Sequence, residues 1–287
     1  MPPADTALVP ESADCHLHAG LERRETFDEV FEYLVADGRE IVGLVDHAEL
    51  YVEEPPRWAA LGLAEAAKRA ERAGIVDLYR KRLRGPDVFY REARAAARGS
   101  GQGLRVGVGL EVSGDYLGRI DPDWLDGADF MGICTSQPRD GADWGGHLAG
   151  LLRKARALLG GRTLGLVLNH PIRWRLLDLA REGRGPFPFA GGLTEADARV
   201  VVEALRNAGA VAEVNFASYW HFSKDERMLR AAREALTMLR DAGARFSLGS
   251  DFHAVAGLPT SYAPSDALEA LGLTVADVEL PRPFARG

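Results

Sequence analysis

The chain has 287 residues, of which 46% are hydrophobic and 27% are charged. This composition supports a folded core and excludes a chain that is mainly disordered. Lys and Arg number 35 against 42 Asp and Glu, and the resulting net charge of -7 argues against a nucleic-acid partner. Since α/β barrels routinely exceed about 200 residues as one unit, we expect a single domain spanning residues 1–287.

The two cysteines, Cys15 and Cys134, are too few for a disulfide scaffold and lack the paired spacing of a cysteine zinc site. Residues 1–14 contain no basic stretch followed by an apolar run, and no segment approaches the roughly 18 apolar residues that span a bilayer. We therefore expect a cytoplasmic protein without a membrane partner.

Short apolar runs alternate with longer stretches of helical period along the chain, which is typical of a parallel sheet or barrel. The runs predict seven strands: Ser12–Leu17, Ile41–Asp46, Leu104–Glu111, Ala128–Cys134, Leu164–Asn169, Ala210–Asn215 and Arg245–Ser250. The predicted fold class is α/β.

Helix starts are indicated where Ser or Thr is followed three residues later by an acidic residue. Three such pairs precede helical periods: Thr26 with Glu29, Thr194 with Asp197, and Ser223 with Glu226. The connection over residues 51–103 is richer in Ala, Arg and Lys, and we interpret it as a helical insertion after the second strand. We expect this insertion to set substrate choice.

Most of the histidines follow predicted strands, where the loops of an α/β barrel converge on one face. His16 and His18 end the first strand, and the others of this set are His47, His170 and His253 after the second, fifth and seventh strands. His16 and His18 are two residues apart, so in a strand both imidazoles point to the same side.

Carboxylates join the histidines at the same predicted edge. Glu111 ends the third strand, and Asp251 follows the seventh, two residues before His253. A lone buried carboxylate such as Glu111 is costly without a cation, and imidazole with carboxylate is a ligand set for zinc, manganese or iron. The sequence therefore predicts a metal centre. His147 instead fits the opening of a helix, and His221 fits packing beside Trp220.

The motifs around these residues, taken together and in order, resemble the PHP superfamily. These phosphoesterases are related to histidinol phosphatase and to the metal-binding domain of bacterial DNA polymerases. The motifs are D-C-H-L-H at residues 14–18, V-D-H-A at 45–48, G-L-E at 109–111, N-H-P at 169–171 and G-S-D-F-H at 249–253. The resemblance implies a distorted, TIM-like barrel of seven β/α units, in agreement with the seven strands counted from the sequence.

The resemblance also implies a ligand set. It assigns His16, His18, Glu111 and Asp251 to a first metal, Glu111 and His170 to a second, and His47 and His253 to a third. Two departures stand out, because the family's histidines at the end of the fourth strand and shortly after the first motif are missing from residues 132–137 and 20–25. The second site is thus short of a ligand and the third is in doubt, unless Gln137, His147, Glu22 or Glu25 substitutes. Two divalent ions are our expected count, with a third left open.

The expected reaction is metal-assisted hydrolysis of a small phosphate monoester, in which two ions activate water and clamp the phosphoryl oxygens. Arg24, Arg173 and Lys224 are the candidates for binding the phosphate, and His47 or His253 for protonating the leaving group if the third ion is absent. Two alternatives remain open: an amidohydrolase-type enzyme, which also has a His-x-His strand and a metal-binding Asp, and a degenerate barrel with a binding or structural role.

Overall fold

The structure, a computed structural model, describes residues 12–19, 25–53, 84–100, 103–135, 143–182, 188–253 and 264–285. Seven parallel strands lie in this described part and pair in chain order from first to last. They are β1 (Ala13–His18), β2 (Ile41–His47), β3 (Arg105–Ser113), β4 (Phe130–Cys134), β5 (Gly165–Asn169), β6 (Ala210–Asn215) and β7 (Phe246–Gly249).

The predicted (β/α)7 TIM-like barrel is confirmed, with strand ends within about two residues of those expected. Strands β2 and β5 are buried along almost their whole length, which is why they appear in the sequence as continuous apolar runs rather than as alternating patterns. Helices cover the outside of the sheet, so both faces of these strands are removed from water.

The helices within the described residues follow the strands in turn. They are α1 (Phe27–Ala36), α2 (Glu49–Val52), α3 (Asp87–Ser100), α4 (Trp144–Leu159), α5 (Arg173–Glu182), α6 (Glu195–Ala208), α7 (Phe216–Phe222), α8 (Glu226–Asp241), α9 (Pro264–Ala270) and α10 (Arg282–Ala285). Short 3-10 helices lie at Gly114–Tyr116, Pro122–Leu125, Phe189–Gly192 and Val275–Asp277. None of the helices in these ranges is long and apolar enough to cross a membrane.

Two of the three predicted helix starts are confirmed. Thr26 and Glu29 form a reciprocal capping box at the start of α1, and Thr194 and Asp197 do the same at α6. The third prediction was wrong, because Ser223 lies at the end of α7 and donates its hydroxyl to the carbonyl of Trp220 at 3.0 Å.

Asp225, two residues further on, caps α8 and accepts a hydrogen bond from the backbone N–H of Arg227 at 2.9 Å. An aspartate with this geometry satisfies a backbone donor at the helix start that would otherwise be unpaired.

The predicted insertion at 51–103 is described only at its ends, and residues 54–83 lie outside the described residues. Its last part forms α3, which packs on α1 through the rings of Phe89 and Phe27, 6.1 Å apart. The helical character expected for this part is thus present at its carboxyl end.

The barrel is nearly closed by contacts between its first and last strands. Leu17 and Phe252 form an isolated parallel bridge, the N–H of His18 donates to the carbonyl of Phe252 at 3.2 Å, and the N–H of Asp251 donates to the carbonyl of His16 at 2.7 Å. The seam is therefore joined at the carboxyl ends of the strands, where the candidate metal ligands lie.

Candidate metal centre

Strand β1 presents His16 and His18 to the inside of the barrel at its carboxyl end. Both side chains are buried, and their Nε2 atoms face each other at 3.1 Å. Cys15, which lies between them in the sequence, packs in a small apolar cluster with Ile41 and Phe284, at an irregularity in the register of β1 with β2. The two-residue spacing predicted this shared direction.

Four buried side chains meet at the first position: His16, His18, Glu111 and Asp251. Nε2 of His18 lies 3.3 Å from Oε2 of Glu111 and 3.2 Å from Oδ1 of Asp251. Nε2 of His16 lies 3.6 and 3.7 Å from carboxylate oxygens of the same two residues. Two nitrogens and two oxygens thus converge on one point.

Glu111 also contributes to a second position. Its Oε1 lies 3.3 Å from Nε2 of His170, and Sγ of Cys134 lies 3.4 Å from the same nitrogen. Asn169 donates its side-chain amide to Oε1 of Glu111 at 2.9 Å. A Cβ at Gly132 would collide with that amide. A glycine at this position of β4 therefore leaves space for the Asn169 side chain that orients Glu111.

The sequence interpretation overlooked Cys134. The fourth strand was expected to lack a ligand where the family has a histidine, yet Cys134 ends β4 and offers its sulfur at that place. Of the substitutes considered, Gln137 and Glu22 lie outside the described residues, and His147 lies in the first turn of α4 beside Trp144.

His18, His47 and His253 form a third group of donors within 4.8 Å of one another. The ring of His18 stacks against both of the others, with centroids 4.4 Å from His47 and 3.9 Å from His253, and the latter two rings are 5.7 Å apart. His47 and Glu111 are direct neighbours on β2 and β3, and Nδ1 of His47 lies 3.3 Å from Oε2 of Glu111. The third group is therefore continuous with the first.

Glu213 on β6 is a buried residue that the sequence analysis missed. Its Oε1 lies 2.6 Å from Nδ1 of His16, and its Oε2 accepts the backbone N–H of His170 at 2.8 Å and the side-chain amide of Asn215 at 3.0 Å. The reasoning that selected Glu111, a carboxylate inside an otherwise apolar strand, applies equally to Glu213.

Two candidate ligands hold unusual backbone conformations directly after their strands. His170 has φ of 33° and Asp251 has φ of 58°, in a region that non-glycine residues avoid at a cost of order 1–3 kcal/mol. Glu213 holds the N–H of His170, and the carbonyl of His16 holds that of Asp251. The surrounding contacts thus keep both side chains aimed inward.

The carboxylates of the first position are ionised in this arrangement. Burial opposes ionisation of Glu111, but the charge of His16 and hydrogen bonds from the imidazoles outweigh it and hold the pKa of Glu111 well below its ordinary value. The pKa of Asp251 is likewise held well below its ordinary value, against burial, by the hydrogen bond from His18 and the charge of His16.

The imidazoles respond in opposite directions. Burial lowers the pKa of His16, but the carboxylates of Glu213 and Glu111 raise it well above its ordinary value. Burial, helped by the neighbouring charge of His18, lowers the pKa of His253 to about 2. The neighbouring carboxylates thus favour the charged form of His16 before a cation binds, whereas burial favours the neutral form of His253.

This donor set fits divalent cations. Glu111, Asp251 and Glu213 are buried together, and buried carboxylates need a cation to offset the loss of hydration. The facing Nε2 atoms of His16 and His18 converge with the two carboxylates as ligands around one ion do, and nitrogen with oxygen donors suits zinc, manganese or iron. His16 and His18 with Glu111 and Asp251 would hold one ion, and Glu111 with Cys134 and His170 a second.

The remaining predicted residues lie outside the three donor groups. Nη1 of Arg173 lies 2.6 Å from Oδ2 of Asp251, so it reaches the edge of the centre, whereas Arg24 lies outside the described residues. His221 is exposed at the end of α7, so the packing role considered for it was wrong. His147 fits the expected helix opening and belongs to none of the three donor groups in the described residues.

The fold and the donors define a (β/α)7 barrel with a candidate metal centre at the carboxyl ends of its strands. No protein-family model matches the chain. No curated protein sequence matches it either.

Solved structures are similar to this chain at low sequence identity. The histidinol phosphate phosphatase of Lactococcus lactis, determined with zinc, L-histidinol and phosphate, is 13% identical over 92% of this chain and 94% of its own, with a TM-score of 0.52. The adenine deaminase of Arthrobacter aurescens is 14% identical over 88% of this chain and 68% of its own, with a TM-score of 0.41. A beta-mannanase from Streptomyces thermolilacinus is 16% identical over 91% and 77%, with a TM-score of 0.43.

Proposed function

We propose that the protein is a metal-dependent hydrolase of the PHP type that cleaves a small phosphate monoester. The observation that carries this proposal is the convergence of all seven predicted ligands on one end of the barrel. They are His16, His18, His47, Glu111, His170, Asp251 and His253, and they occupy strand ends in the order of the PHP motifs.

Glu111 is the residue on which the arrangement depends. Its two oxygens face different partners, with Oε2 toward His18 and Oε1 toward His170. Glu111 would thus help to hold an ion at each of the two positions, an arrangement used in two-metal phosphoryl-transfer sites. Ions bound there would supply an activated water at neutral pH and charge neutralisation for the phosphoryl oxygens.

Arg173 gives the site a cation for the phosphate. Its guanidinium is half-buried, contacts Asp251 and lies 5.6 Å from the ring of Trp174. A planar guanidinium matches the oxygens of a phosphoryl group in two parallel hydrogen bonds. We propose that one face of Arg173 orients Asp251 while its remaining N–H groups bind the substrate.

His47 is the proposed proton donor to the leaving alkoxide. The pKa of His253, which burial lowers to about 2, keeps its imidazole neutral, so we do not assign it this role. Both histidines lie against His18 at the rim of the first position, and they are more exposed than the buried ligands. An imidazole nitrogen has one lone pair, and Nε2 of His18 faces Glu111 and Asp251, so a third ion at His47 and His253 would need other donors to complete it.

The test uses the full chain stripped of metal with a chelator and reloaded separately with zinc and manganese. We expect about two ions per chain and metal-dependent release of phosphate from a panel of small phosphomonoesters. Turnover of amides or deamination of bases without phosphate release would instead favour the amidohydrolase alternative. A chain that binds no ion, or that hydrolyses none of these substrates with metal, would overturn the proposal and leave a binding or structural role.

A further inference from the structure

The second metal position contains a sulfur donor, unlike the first. Strands β3 and β4 and the residue after β5 bring Glu111, Cys134 and His170 together, with Sγ of Cys134 3.4 Å from Nε2 of His170. The first position offers only imidazole nitrogens and carboxylate oxygens. Two positions that share Glu111 thus differ in the chemical softness of their donors.

The surroundings of Cys134 hold the sulfur in place. Cys134 pairs in register with Asn169, whose amide binds Glu111, and the hydroxyl of the next residue, Thr135, donates to the carbonyl of His170 at 3.3 Å. The end of β4 is therefore tied to the other two ligands of the second position. Burial and the nearby carboxylates of Glu111 and Glu49 raise the pKa of the Cys134 thiol well above its ordinary value, against a side-chain hydrogen bond from Trp174, so the thiolate needs a bound cation to form.

We propose that Cys134 binds metal as a thiolate and makes the second position selective for a thiophilic divalent ion, with zinc as the expected occupant. Thiolate ligands favour zinc, whereas manganese and magnesium prefer carboxylate, carbonyl and water oxygens. Three protein ligands of sulfur, nitrogen and oxygen also match catalytic zinc sites, which keep one position open. The first position, without sulfur, accepts a wider range of ions.

This inference rests on the metal centre of the proposed function but not on the reaction. It requires that the second position be filled by Glu111, Cys134 and His170 and that the ion be bonded to sulfur. The readouts are therefore ion count and optical absorption in the absence of any substrate. Failure to hydrolyse phosphomonoesters would overturn the proposed function and leave this inference intact.

The experiment titrates the metal-free full chain with cobalt(II), which reports thiolate ligation by near-ultraviolet charge-transfer absorption. We expect this absorption in the unaltered protein and in Cys15→Ala, because Cys15 packs in an apolar cluster and belongs to none of the donor groups in the described residues. Cys134→Ser should abolish the absorption and bind one ion fewer per chain. Absence of the absorption in the unaltered protein loaded with two cobalt ions would overturn the proposal.

A second variant keeps the test decisive if Cys134→Ser folds poorly. Cys134→His restores a nitrogen donor at the end of β4, so two ions should remain bound without the sulfur absorption. Competition between cadmium and manganese should then shift by at least about tenfold toward manganese, because a soft donor has been replaced by a borderline one. An unchanged preference in a folded variant would show that Cys134 does not set ion choice.

Discussion

Oε1 of Glu213 lies 2.6 Å from Nδ1 of His16, while Oε2 of the same carboxylate accepts the backbone N–H of His170. Glu213 thus holds one residue from each of the two principal metal positions, and it belongs to none of the donor groups in the described residues. Its hydrogen bond to Nδ1 leaves Nε2 of His16 directed at Glu111 and Asp251. Carboxylates that fix a ligating imidazole in this way also raise its basicity.

Replacement of Glu213 tests this supporting role. Glu213→Gln should weaken metal affinity by about 10–100-fold while leaving the fold intact. The substitution replaces one accepting oxygen by an NH2 group, which donates, so either the ring N–H of His16 or the backbone N–H of His170 loses its acceptor. Affinity is measured by competition with a chromogenic chelator. Glu203→Gln, on the exposed side of α6, is the matched control and should bind metal as the unaltered protein does. Equal affinities in the two variants would contradict the role of Glu213.

Removal of a ligand at the first position should eliminate catalysis. His16→Ala is expected to bind fewer ions and to lose phosphomonoesterase activity by on the order of a thousandfold, because cation stabilisation of the transition state amounts to several kcal/mol. Metal analysis and steady-state kinetics measure the two effects, with circular dichroism to verify the fold. His221→Ala, at the exposed end of α7, should retain both properties. Full activity in His16→Ala would refute the assignment.

Arg173 has two separable roles in the proposal. Arg173→Ala should raise the inhibition constant of inorganic phosphate by about tenfold or more, since a charge-assisted bidentate contact is lost. Arg181→Ala, an exposed arginine on the same helix, should leave it unchanged. If Arg173→Ala lowers metal content but binds phosphate normally when saturated with metal, the arginine orients Asp251 without contacting substrate.

The cap of α8 provides a stability test away from the site. Asp225→Ala should cost about 1 kcal/mol of unfolding free energy, whereas Ser223→Ala, at the residue that the sequence wrongly predicted as the cap, should cost less than about 0.5 kcal/mol. Urea unfolding at neutral pH measures both. Equal losses would contradict the observed cap.

The same cap predicts a pH dependence. Hydrogen bonds from the side chain and backbone of Arg227 lower the pKa of Asp225 from 3.8 to about 2. Because the folded-state pKa lies below the unfolded one, the ionised cap stabilises the fold above pH 3.8 and loses this effect as the pH falls toward 2. The difference in unfolding free energy between Asp225→Ala and the unaltered protein should therefore shrink in acid.

The barrel was predictable because its strands are buried runs bounded by helices with strong starts. Thr26 and Thr194 have acidic partners at the right spacing, and both capping boxes form. Ser223 has the same spacing to Glu226 but lies at the end of a preceding helix that the sequence did not indicate. Local patterns alone could not distinguish a residue that ends α7 from one that begins α8.

The site was predictable where the ligands end strands in recognised motifs. It was less predictable at β4, where a cysteine stands in place of the expected histidine. From the sequence, Cys134 was excluded as a zinc ligand because the two cysteines lack paired spacing. That criterion applies to sites built from several cysteines, and it gives no information when the other ligands are a histidine and a carboxylate from distant strands. Glu213 lies within a predicted strand, and only the packed structure shows that its carboxylate faces His16 and His170. Long-range pairing of this kind has no local sequence pattern.

The seam between β1 and β7 gives the first metal position a consequence for the whole chain. His18 comes from the first strand and Asp251 follows the last, so an ion held by both would join the two ends of the sheet beside the isolated bridge and the backbone hydrogen bonds that pair them. Binding to the folded state alone adds about 2.7 kcal/mol when the free ion is a hundredfold above its dissociation constant. The concentration of free cation would then affect the stability of the closed barrel. In a metal-free chain, we expect local opening to begin between β1 and β7.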